Sequence, residues 1–130
     1  MWYFKYVGVP YKRHSSDPKV GLDCVTASRL ALRELGFDVP DCAIPCEEED
    51  FVGFDIESGD RYWEYIGDKP TDASVAGDVI CNEPLRGFHH VSVMVNPSEY
   101  RILTAMEGRG AVVTHLRFLK NITGVYRFKG

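Results

Sequence analysis

No apolar run in this 130-residue chain approaches the roughly 18 residues needed to cross a bilayer, so insertion through a membrane helix is not expected. An excess of basic residues is missing as well. Lys and Arg number 15 against 19 Asp and Glu, the net charge is −4, and no Lys/Arg block occurs, which removes the electrostatic footprint of a nucleic-acid binder. No phosphate-binding glycine loop, dinucleotide fingerprint or G-x-S-x-G elbow is present, so no cofactor and no serine-hydrolase chemistry are expected. The start Met1-Trp2-Tyr3-Phe4-Lys5 lacks the pattern of a secretory signal, and synthesis in the cytoplasm is the expectation. Cysteines are few: Cys24, Cys42, Cys46 and Cys81. In a chain long enough to build its own core, without a signal, they read as free thiols rather than as a disulfide framework. Cys42 and Cys46 with Cys81 and His89 or His90 have the right donor types for zinc. The remaining ligands form no short paired motif, so no metal is expected.

What is present fits one α+β domain over residues 1–130. Hydrophobic residues make up 45% and aromatics 12%, enough large side chains for a dense interior. The apolar positions Ala27, Leu30, Ala31 and Leu35 recur at helical spacing and predict a helix over residues 24–35. Asp23 stands ahead of it as an N-cap, and Gly36 with Pro40 supplies the stop. Residues 41–76 read mostly as loop with one or two short helices, and 60–66 suit helix or strand equally. The acidic run Glu47 to Asp50 reads as a solvated or helix-capping cluster. From Val79 onward the period becomes two, giving five strands at 79–81, 90–95, 100–106, 111–116 and 124–128, separated by Gly, Pro and Asn turns. Short connections predict an antiparallel meander, and a helix ahead of a strand cluster points to α+β.

Cys24 carries the most chemistry in this pattern. At the first turn of a helix, free amides and the macrodipole stabilise an anion, so a thiol there ionises more readily than an ordinary one. It needs a base, and His90 opens an alternating strand, with His90, Ser92 and Met94 on one face and Val91, Val93 and Val95 on the other. His89 is the competing base, exchanged with His90 by a one-residue shift of register.

The order of these motifs resembles NlpC-type, papain-like cysteine peptidases, in particular the branch encoded with phage tail genes. Residues 6–14 (YVGVPYKRH), 20–25 (VGLDCV) and 35–41 (LGFDVPD) are similar to that family's opening. Gly77-Asp78-Val79-Ile80 and His90-Val91-Ser92-Val93-Met94-Val95 are similar to its later strands. The resemblance covers nearly the whole chain. It implies N-terminal helices packed on a C-terminal antiparallel sheet of about five strands, and hydrolysis of amide bonds in peptidoglycan stem peptides. It assigns the nucleophile to Cys24, the general base to His90 and an oxyanion-side or substrate hydroxyl to Tyr11. It also suggests that Asp23 orders the nucleophile loop and that His14 lines the substrate groove; Asp23, His14 and His89 are the candidate substrate-binding residues. Partners would be the stem peptide and phage tail proteins, and the site of action a virion tail.

Two positions depart from the family pattern. Thr104 stands where a His, Asn or Gln usually orients the base, with Glu107 or His115 as substitutes if register allows, and Ala76 replaces the proline before Gly-Asp. Alternative readings of the same residues are a structural or binding module of a tail assembly weakened at Thr104, or a papain-like amidase or acyltransferase on another substrate.

Overall fold

A computed structural model describes residues 1–41, 44, 45 and 62–130. A 3₁₀ helix over Trp2–Tyr6 precedes the α-helix α1 (Cys24–Glu34). Six strands follow: β1 (Trp63–Gly67), β2 (Val79–Leu85), β3 (Phe88–Asn96), β4 (Arg101–Met106), β5 (Gly110–His115) and β6 (Ile122–Phe128). They form one antiparallel sheet in the order β1-β6-β2-β3-β4-β5.

Both ends of α1 are set locally. Asp23 accepts from the Thr26 amide at 2.8 Å while Thr26 Oγ1 accepts from the Asp23 amide at 2.9 Å, a reciprocal capping box. At the other end Gly36 adopts φ +96°, its amide donates to Arg33 and that of Phe37 to Leu32. This Schellman arrangement needs the left-handed residue that glycine supplies cheaply.

The sheet differs from the expected five-strand meander in two ways. Residues 63–67 form a sixth strand, so this part of the ambiguous segment is β, while residue 62 is helical and 60–61 lie outside the described residues. And β6 does not continue past β5: it crosses back to pair with the free edge of β2, Ile80 standing opposite Val125. A bidentate ion pair supports that crossing, with Arg127 Nε and Nη2 donating to the buried Asp78 at 2.8 and 2.9 Å. The outer edge of β5 is covered by the N-terminal segment, through Gly8 to Ala111 and Ala111 to Val9 backbone bonds.

The core lies on both faces of the sheet. α1 packs on β3 and β4, and its Val25, Ala27, Ala31 and Leu32 join Val79, Val91, Val93, Val95 and Leu103 in the larger cluster. The buried stripe of the helix thus passes through Val25 and Leu32, while Leu30 and Leu35 of the expected stripe are half-buried. The opposite face carries a second cluster of Ile80, Met94, Ile102 and Val125, packed by Leu116, Leu119 and Ile122. Strand β3 is therefore buried on both sides along most of its length.

The cysteines also depart from expectation. Cys24 is outside any disulfide, but Cys81, fully buried on β2, is disulfide-bonded. The free-thiol reading fails there because it rested on an argument about compartment, not on which side chains the fold brings together. Cys42, Cys46 and the acidic run at 47–50 lie outside the described residues.

Candidate active site

The capping box that starts α1 also places its first residue. Cys24 occupies the first helical position, half-buried, with the free amides of the first turn around it. Asp23 is 2% exposed and spends its second oxygen on the His14 amide at 2.7 Å. Its carboxylate thus ties two loops to the helix start and faces backbone amides, not open solvent. Tyr11 reaches the same place through a parallel bridge to Leu22, two residues ahead of Cys24. Ser28 Oγ donates to the Cys24 carbonyl at 2.7 Å from the next turn of α1.

Cys24 and His90 line one cleft of about 200 Å³, whose wall also includes Tyr11, Asn82, His89 and Glu107. Phe88 and Phe118 form an apolar part of the wall and remain exposed. His90 is 8% exposed. Burial pushes its imidazole below the usual histidine range, favouring the neutral ring.

The ring is held at one nitrogen. Thr104, 1% exposed on β4, places Oγ1 2.5 Å from His90 Nε2. The same oxygen lies 3.4 Å from the Val91 carbonyl, which can take its hydrogen. A hydroxyl hydrogen given to that carbonyl leaves Oγ1 to accept from Nε2–H and Nδ1 as the basic nitrogen. A thiol at a helix N-terminus and an imidazole held with one nitrogen basic are the two parts of a nucleophile and base pair.

The remaining expected residues separate by position. His89 is exposed on the cleft wall. Glu107 is on the wall too, but it is Thr104 that holds Nε2. His115 is not on that wall: its Nδ1 accepts from the Arg117 amide and its ring leans on Tyr100. His14 is exposed, with φ +66°, and is tied to the site through its backbone, outside the residues that line the cleft. Among the described residues no three His, Cys, Asp or Glu side chains converge as a metal site would require. Sequence reasoning missed Asn82, which stands opposite His90 across β2 and β3. It also missed the aromatic wall of Phe88 and Phe118; an exposed Phe in a turn next to the histidine strand was the available signal.

No family model and no curated protein matches the chain. Among solved structures, the crystal structure of a protein described as similar to lipoprotein, of the NLP/P60 family, from Staphylococcus aureus subsp. aureus Mu50 is similar to it. The TM-score is 0.59 at 18% identity, covering 96% of this chain and 38% of the other. The chain thus spans well under half of that neighbour's length. At this identity the likeness establishes the fold: a helix on an antiparallel sheet, as in an NLP/P60 protein.

Proposed function

We propose that this domain is a papain-like cysteine peptidase of NlpC type that hydrolyses amide bonds in peptidoglycan stem peptides. The observation that carries the reading is the shared cleft of Cys24 and His90, with Nε2 of the imidazole held by Thr104, on an NLP/P60-like fold. In this reading His90 Nδ1 takes the thiol proton, the Cys24 thiolate attacks the scissile carbonyl, and His90 returns the proton to the leaving amine. The oxyanion would be met by amides at the start of α1, with the Tyr11 hydroxyl on the same side. Thr104 is the third member, and its hydrogen bond to the ring favours catalysis over a binding module with a disabled base. Asp23 acts by holding the nucleophile loop. The likeness of the sequence motifs to tail-associated peptidases supports delivery as a phage tail component.

The test is release of new amino groups from purified peptidoglycan. The wild-type domain should release them and Cys24→Ala should not. Equal release by both proteins would rule the mechanism out.

A further inference from the structure

The cleft wall holds one buried polar side chain that the proposed chemistry does not use. Asn82 on β2 is the register partner of His90 on β3, which puts the two side chains on one face of the sheet. Residues directly opposite in an antiparallel pair have Cβ atoms roughly 4.5–5.5 Å apart, so they are immediate neighbours. Asn82 is only 3% exposed. Its Nδ2 donates to the Lys120 carbonyl at 3.0 Å. A carbonyl only accepts, so this bond fixes which end of the amide is nitrogen and which is oxygen. Among the described residues the Oδ1 end is buried without a hydrogen-bond partner, which leaves its desolvation uncompensated. Ser92 Oγ is the other such atom among the described side chains, but it is fully enclosed and does not line the cleft.

We propose that Asn82 is a positioning residue for His90, its amide oxygen favouring the imidazolium that forms when the Cys24 S–H bond breaks and the proton moves to Nδ1. The inference rests on the Cys24 and His90 pairing proposed above. Thr104 holds the ring from the β4 side, and Asn82 flanks it from the β2 side. Burial alone disfavours the charged ring, so a thiolate and imidazolium pair needs a buried dipole of the opposite tendency. The titratable groups of the cleft wall are Cys24 of α1, Tyr11 ahead of it, His89 on β3, Glu107 after β4 and Lys120 before β6. Asp23, next to Cys24, is committed to backbone amides. Glu107 and Lys120 are exposed and of opposite sign, so water and salt weaken both. Asn82 acts from inside.

The experiment is the pH dependence of Cys24 alkylation by iodoacetamide, followed by mass spectrometry on the Cys24 peptide, which needs no substrate. The full chain is compared with His90→Ala, Asn82→Leu, Asn82→Ser and Asn82→Asp, with circular dichroism to check folding. His90→Ala should slow alkylation at neutral pH. Asn82→Leu and the smaller Asn82→Ser should slow it about tenfold, the ratio given by a one-unit fall in the proton affinity of the ring. Asn82→Asp should match or exceed the wild-type rate and carry it to higher pH. If His90→Ala follows the wild-type profile, the cysteine and histidine pair itself falls, and the role of Asn82 with it. If His90→Ala is slow while the Asn82 variants keep the wild-type profile, the pair stands and the role of Asn82 is overturned.

Discussion

Thr104→Val removes one oxygen from a site where size is otherwise conserved. Thr104 is 1% exposed, and its hydroxyl is the hydrogen-bond partner of the His90 ring among the described residues. A valine leaves Nε2–H buried and unpaired, at a cost of about 1–3 kcal/mol. The ring can recover part of that cost by rotating or by moving its proton to Nδ1, and either change would take the proposed base away from Cys24. If the full penalty falls on the reactive arrangement, the rate drops roughly 5- to 150-fold, since about 1.4 kcal/mol is tenfold. The assay is initial rate of amino-group release from peptidoglycan, with Cys24 alkylation as a readout independent of substrate. Thr104→Ser keeps the hydroxyl and should retain most of the activity. Nitrogen NMR shifts of His90 should report Nε2–H in the wild type and a mixture in Thr104→Val. A Thr104→Val protein that is folded, fully active and unchanged in tautomer would refute the assignment of Thr104 as the group that holds the base.

Two further outcomes concern stability. The folded imidazole of His90 binds protons less readily than the unfolded one because it is buried, so stability is complete above the unfolded value of about 6.5 and falls as pH drops below it. Urea unfolding midpoints between about pH 7.5 and 5 should decline in the wild type by up to roughly 1.4 kcal/mol per pH unit from this one group; a His90→Gln variant with the same slope would contradict it. Gly110 adopts φ +76°, and a Cβ there would collide with the Val9 carbonyl, whereas Gly108 at φ +84° has open space around it. Gly110→Ala should therefore cost clearly more than Gly108→Ala, about 2–3 against about 1 kcal/mol, and equal losses in urea unfolding would show that the N-terminal segment does not lie against β5.

The parts of this molecule that could be read from the chain are those fixed by neighbours a few residues apart. Asp23, Thr26 and Gly36 set the ends of α1 within their own turn, so the helix and the placement of Cys24 at its start follow from local spacing. The stripe that the helix buries was less legible. Leu30 and Leu35 satisfy the helical period as well as Leu32 does, and only the sheet beneath decides which of them is covered. The return of β6 to β2 was hidden for a similar reason: β5 and β2 both offer an edge, and the Asp78 and Arg127 pair that supports one choice joins residues far apart in sequence. The disulfide at Cys81 likewise depends on a contact in space that composition does not reveal.

The face of the sheet that carries His90 shows why the site was only half visible. Along that face the rows nearest Asn96 are apolar, with Met94 opposite Ile102, while the rows toward the cleft carry Ser92 opposite Ile80 and His90 opposite Asn82. Alternation along β3 alone identifies His90 but treats Ser92 and Met94 as equivalent to it. The segregation into an apolar end and a polar end emerges only once three strands are in register, and a register irregularity between Asn82 and Leu85 conceals the first of those alignments from any count of residues. Burying Asn82, His90 and Thr104 together opposes folding, because each must find a partner out of water. A sheet selected for stability alone would continue the pattern of Ile80, Met94 and Ile102 to its end. The interruption of that pattern, beside a thiol at a helix start, is what sets the proposed site apart from ordinary core on this fold.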